Sequence, residues 1–178
     1  MSRRPVRGGH ERRPSTVRPG YRGEVPVPEF IVRLRERIGH DLLWLPGVTA
    51  VVLRDDEVLL VRRSDDGSWA PVTGIVDPGE HPALAAPREV LEETGIHCTV
   101  EELVWVNVTE PTVHVNGDQA QYLDHTFRCR YVDGTPRVGD DESQEVRWCR
   151  LDDLPAMSPS LVERIMTAVE HSGPVRLT

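Results

Sequence analysis

Gly74-Ile75-Val76-Asp77-Pro78-Gly79-Glu80 is followed by seven residues and then by Arg88-Glu89-Val90-Leu91-Glu92-Glu93-Thr94-Gly95-Ile96. The order of residue types decides how this segment folds. In Asp77-Pro78-Gly79 the proline presets φ and the glycine accepts positive φ, so the chain turns there. Pro82 suits the first turn of a helix, where its missing N–H is no loss. Gly95 stands where a left-handed cap ends one. A helix is therefore predicted over Pro82–Thr94. At about 100° per residue, Ala83, Leu84, Ala86, Pro87, Val90 and Leu91 fall on one arc and Glu89, Glu92 and Glu93 on the opposite one. Pro87 forfeits a backbone hydrogen bond and should cost about 3 kcal/mol in a regular interior. That predicts a kinked or irregular first turn, which bears on the placement of Glu80.

The three glutamates, spaced i, i+3, i+4, are close enough to repel one another by a few tenths of a kcal/mol per pair and to disfavour each other's ionisation. Alone they would read as a solvated acidic face. A cation removes the repulsion, and hard carboxylate oxygens without sulfur or imidazole select Mg²⁺ or Mn²⁺. The longer frame favours the cation. From Gly74 to Ile96 the sequence resembles the signature of the Nudix hydrolases, G-x5-E-x7-R-E-U-x-E-E-x-G-U with U aliphatic, and matches every fixed position. A motif with this many fixed positions is a specific signal. The resemblance extends over roughly residues 47–170, through Leu59–Arg63, Trp69, Glu145–Trp148 and Leu151–Pro155.

The resemblance implies an α/β/α sandwich with a mixed β-sheet between helices, and a pyrophosphohydrolase that directs water onto a phosphorus of a nucleoside diphosphate linked to another group. It also implies roles. The Gly74 carbonyl and the carboxylates of Glu89, Glu92 and Glu93 would bind Mg²⁺, with Mn²⁺ as an alternative. Arg88 would orient Glu89, and Glu80 would support the loop and reach a metal through water. The general base would be Glu89 or a residue of the acidic loop Asp140–Glu145, with Glu142 named before Glu145. One departure stands out: Val72-Thr73-Gly74 occupies the place where many relatives carry Pro-Gly-Gly.

Outward from this segment, hydrophobic periodicity predicts a short amphipathic helix over Pro28–Gly39, strands over Val48–Arg54 and Glu57–Arg63 joined at Asp55-Asp56, and a strand-like Trp69–Gly74. Further strands are expected over Val100–Thr109, Gln121–Val132 and Glu145–Arg150, with a closing helix over Leu161–Glu170. Residues 1–23 read as a disordered basic arm, 24–46 as an extension carrying the short helix, and 47–178 as the hydrolase-like domain. The short helix would pack on its own domain or across a homodimer.

Charge divides along the same lines. All 21 basic residues are arginine, so no mechanism can rest on a lysine amine. Of the net −8, the arm carries +6 and the remaining 155 residues −14. An acidic body argues against a nucleic-acid-coating surface and gives no support to a capped-RNA substrate. The arm has no apolar segment that would make it a secretory signal. No run of 18 apolar residues exists to form a transmembrane helix. Cys98, Cys129 and Cys149 form no C-x-x-C pair and read as buried free thiols of a cytoplasmic protein. The histidines are scattered singly and are assigned no metal.

Substrate signals are sparse. Arg62 and Arg63 are candidates to meet phosphates, one of them facing solvent because strand neighbours alternate. Trp69, Trp105 and Tyr122 are candidates to stack a base, although packing is the commoner role. Pro111 lies where ADP-ribose pyrophosphatases of the family tend to carry proline. The intact motif and its resemblance imply a small nucleotide, either ADP-ribose-like or an (oxidised) nucleoside triphosphate. The basic arm raises an alternative, a non-catalytic nucleotide-sensing domain whose arm contacts DNA. That alternative would be expected to carry a broken motif.

Overall fold

The computed structural model describes residues 27–178, so the basic arm lies outside the described residues. The chain runs α1 (Glu29–Ile38), β1 (Leu43–Arg54), β2 (Glu57–Arg63), β3 (Trp69–Ala70), β4 (Val72–Ile75), α2 (Pro82–Thr94), β5 (His97–Val108), β6 (Thr112–Val113), β7 (Gln119–Asp133), β8 (Ser143–Arg150) and α3 (Pro159–Glu170). All eight strands belong to one mixed sheet with the central order β3-β2-β1-β7-β5. β1 pairs in parallel with β7 along its length, from Leu43↔Ala120 to Leu53↔Arg130. Its other edge is shared: β4 takes Gly47–Ala50 and β2 takes the hairpin end at Leu53–Arg54. The expected mixed sheet between helices is present.

Alternation along the strands divides the core. Leu59 and Val61 of β2 join Val48, Ala50 and Val52 of β1 on the face covered by α2. Val58 and Leu60 turn to the opposite face, where Ile165 and Ala168 of α3 close over them. α1 buries Ile31 against Leu45 and Ala120 at one end of the sheet. Arg35 fastens it there by donating to Gln119 O at 2.7 Å. β1 begins at Leu43 rather than Val48, continuing through Pro46-Gly47 into the segment assigned to the extension. Its ladder with β7 tolerates the proline.

Two expectations for α2 are corrected. The helix runs without interruption through Pro87. The bond that proline forfeits is to Ala83 in the first turn, so the loss is confined to one carbonyl near an exposed end. The buried face also shares only Ala86 and Val90 with the one assigned from the wheel. Ala85, Ala86, Val90, Glu93 and Thr94 are buried, while Leu84 and Leu91 are 61% and 40% exposed. The small side chains at 85 and 86 let the helix lie close to the sheet, which rotates the leucines outward and carries Glu93 inward.

Candidate active site

The segment Gly74–Glu80 leaves β4 and returns as α2. Thr73 and Gly74 pair with Thr49 and Val48 of β1, and Val76 N–H donates to Pro46 O at 3.1 Å. The departure at Val72-Thr73 is thus an ordinary strand, and the loop after it hangs from the central strand of the sheet. Asp77–Glu80 closes as a turn, with Glu80 N–H donating to Asp77 O at 2.9 Å and Gly79 at φ 89°. Gly74 has a separate reason to be glycine: a Cβ there would stand 2.2 Å from Glu89 Cδ, so the Glu89 carboxyl lies directly against the backbone.

Arg88 organises one side of the cluster. Its guanidinium donates to both Glu80 oxygens at 2.9 and 2.8 Å and to Glu92 Oε2 at 3.0 Å, and it pairs with Glu89 Oε1 at 3.0 Å. Glu80 is held against Arg88, whose hydrogen bonds keep its carboxyl below the usual carboxylate range, so it supports the loop–helix junction.

Glu93 is the most buried acid of the helix, 5% exposed. Burial first, then the charges of Glu142, Glu89 and Asp140, push its carboxyl up to about 9. Burial pushes Glu89 up to about 7 against the opposing pull of Arg88. Glu142, half-buried and near Asp140, is likewise pushed up to about 7, chiefly by burial. Among the described residues, no three His, Cys, Asp or Glu side chains stand at metal-ligand spacing. The donor set nevertheless fits a hard divalent cation. Glu142 and Glu89 raise the cost of ionising the buried Glu93, and Glu92 and Glu142 that of Glu89, and a cation would remove that cost.

The acidic loop brings Glu142 to this recess, and Ser64 fixes it there. Ser64 N–H donates to Glu142 O at 2.8 Å and its hydroxyl to Asp141 O at 2.6 Å. Glu145 stands elsewhere. It pairs across the ladder with Arg62 and lies 3.8 Å from Arg147, on the α3 face. Arg62 and Arg63 separate as alternation requires. Arg62 is exposed and donates to Gly67 O. Arg63 is half-buried on the α2 face, bidentate to Asp65 at 3.0 and 2.6 Å, and close enough to Glu93 and Glu142 to affect both.

The aromatic candidates lie apart from the recess or at its margin. Trp69 packs with the α3-side core under the Arg147 guanidinium, 4.3 Å from its ring centroid. Trp105 is buried beneath Arg176. Tyr122 is the one of the three near the site, its ring 3.3 Å from where a Gly47 Cβ would be. Pro111 is exposed in the link between β5 and β6.

Sequence reasoning missed the segment from Gly134 to Gly139. It crosses the C-terminal end of α2, where Arg137 N–H donates to Thr94 O at 3.0 Å and Gly139 N–H to Glu93 O at 2.8 Å. A glycine pair in an irregular stretch was the only available signal.

The family model for the NUDIX domain matches residues 44–168. The chain is 34% identical over 131 residues to a MutT-like protein of Streptomyces ambofaciens, covering 71% of this chain and 78% of that protein. It is 33% identical over 161 residues to an 8-oxo-dGDP phosphatase of Homo sapiens, covering 86% of this chain. There it spans only 44% of the relative's length. Among solved structures, a UDP-X diphosphatase superposes with a TM-score of 0.63 at 23% identity, covering 84% of this chain and 74% of the other. That last likeness is one of fold.

Proposed function

Since the chain belongs to the Nudix hydrolase family, we propose that it hydrolyses a phosphoric anhydride in a small nucleotide, either ADP-ribose-like or an oxidised nucleoside triphosphate, with Mg²⁺ or Mn²⁺ bound. The observation that carries this reading is that the Glu89 carboxyl lies against the Gly74 backbone, while Glu142, from a separate loop, comes near enough to Glu93 to raise its carboxyl.

The carboxylates of Glu89, Glu92 and Glu93 and the carbonyl of Gly74 would hold the cation. Once bound, the cation supplies charge neutralisation on non-bridging phosphate oxygens and lowers the pKa of an attacking water. Glu142, which the loop beside Glu93 carries and Ser64 anchors, would take the proton of the attacking water, with Glu89 as the in-helix alternative. Arg88 keeps the Glu89 carboxylate turned toward Gly74 through the 3.0 Å pair. Arg63, held rigid by Asp65, offers a positive charge at the mouth of the recess for a phosphate. Basicity there comes from arginine alone, in keeping with a chain that lacks lysine.

The similarity to the human 8-oxo-dGDP phosphatase supports an oxidised guanine nucleotide as the first compound to test. The acidic body favours a free nucleotide over a polymer. The experiment is a panel of nucleoside di- and triphosphates, oxidised and not, together with ADP-ribose, incubated with and without Mg²⁺. Ion-dependent release of a phosphate-bearing product from one class supports the proposal. No release from any member with Mg²⁺ or Mn²⁺ overturns it.

A further inference from the structure

The segment between β7 and β8 lies across the C-terminal end of α2 and meets it through glycines. Gly134, at φ 108°, leaves no room for a side chain, because a Cβ would stand 2.6 Å from Gly95 O. Gly139 is tighter still: its Cβ would fall 1.8 Å from Glu92 O and 2.9 Å from Glu93 C. These are backbone atoms of a packed helix and cannot swing aside. The φ of Gly139 is not positive, so what requires glycine there is the contact alone. The last carbonyls of a helix lack intrahelical donors. Here the crossing segment supplies them, from Arg137 to Thr94 and from Gly139 to Glu93.

One residue of α2 is therefore held at both ends. The Glu93 carbonyl accepts from Gly139, while its carboxylate faces Glu142, three residues further along the same segment. At Asp141 and Glu142 the chain is fixed again by Ser64. With both flanks anchored, the depth at which Gly139 seats on the helix sets the separation between Glu142 and Glu93. We infer that Gly139 is a positioning residue, which sets the distance of the Glu142 carboxylate of the loop from the carboxylates of α2. This inference rests on the function proposed above.

The test compares Gly139→Ala with Val138→Ala, a neighbour 44% exposed with no part in the contact. Lifting the loop by about 1 Å should lower kcat about 100-fold, weaken Mn²⁺ binding, and leave the substrate KM within a factor of about three. Val138→Ala should match wild type. If Gly139→Ala folds poorly, hydrogen exchange on the wild-type chain decides the matter. Adding Mg²⁺ should slow exchange of residues 134–142 together with α2. Wild-type kcat and Mn²⁺ affinity in Gly139→Ala, or a Mg²⁺ effect confined to α2, overturns the inference. Glu93→Gln separates the two proposals. If it is inactive while Gly139→Ala is not, only the positioning role fails. If Glu93→Gln turns over normally, or no Mg²⁺ response appears anywhere, the functional proposal fails and takes the positioning role with it.

Discussion

The carboxyl of Glu89 occupies the space that a side chain on Gly74 would need, a Cβ there falling 2.2 Å from Glu89 Cδ. Gly74 does not adopt positive φ, so alanine is acceptable to the backbone and intolerable only to Glu89. Gly74→Ala should therefore keep the fold and displace one carboxylate by about 1 Å, lowering kcat about 100-fold. Circular dichroism and steady-state kinetics check the two halves. Wild-type kcat in a folded Gly74→Ala would mean that the Glu89 position is immaterial.

The buried Glu93 makes the metal-free protein sensitive to pH. Its carboxyl rises from 4.5 to about 9 on folding, so the folded state holds its proton more tightly than the unfolded state. A raised carboxyl stabilises the fold fully below the unfolded value, and that contribution is lost as pH rises from about 4.5 through about 9. Glu89 and Glu142, each near 7, act in the same direction over the lower part of this range. Without divalent ions, stability should fall between pH 5 and 9 by denaturant titration, each pH taken as approximate. Mg²⁺ should restore it, and more so at the alkaline end, because binding displaces protons.

Glu93→Gln should divide stability from activity. The amide keeps the shape of the side chain and removes the ionisation that burial opposes. The variant should be more stable than wild type at pH 8 without metal, and inactive with it. Glu92 is 56% exposed at its side chain, so Glu92→Gln should change stability by no more than about 0.5 kcal/mol while still lowering the rate. Thermal melts of both variants with and without Mg²⁺ test the contrast.

A second buried charge supports the sheet from the other side. Arg164 of α3 donates to Thr49 at 2.8 Å and lies 3.5 Å from Asp124. Asp124 also accepts from Thr49 and Thr126, each at 2.8 Å. Removing one partner of such a pair leaves the other charge uncompensated, at a cost of about 3–5 kcal/mol. Arg164→Leu should lose about that much in urea, and pairing it with Asp124→Leu should recover a large part. Equal loss in single and double variants would show that the pair itself carries no coupling.

How much of this was legible in the sequence depends on the range of the interaction. Both ends of α2 were readable because Pro82 and Gly95 act locally, through a missing N–H and a left-handed cap. The face α2 buries was misread, since a wheel cannot show that Ala85 and Ala86 permit an approach that turns Leu84 and Leu91 outward. β1 was read short because Pro46-Gly47 looks like a break. Its parallel partner, β7, is more than seventy residues away and supplies the pairing that carries the strand through. Glu80, Arg88 and the three glutamates of α2 were singled out from spacing and family resemblance together. The crossing of Gly139 over Glu92 and Glu93 has no periodicity and no local propensity to announce it.

The central claim is that the recess formed by Glu89, Glu93 and Glu142 directs water onto phosphorus. Its most direct test is turnover of the nucleotide found by the panel in H₂¹⁸O with Mg²⁺, using wild type and Glu93→Gln, with products weighed by mass spectrometry. The account predicts one ¹⁸O in a single phosphate-bearing product of the wild type and no labelled product from Glu93→Gln. Equal labelling by both proteins, or label in a group other than phosphate, would contradict it.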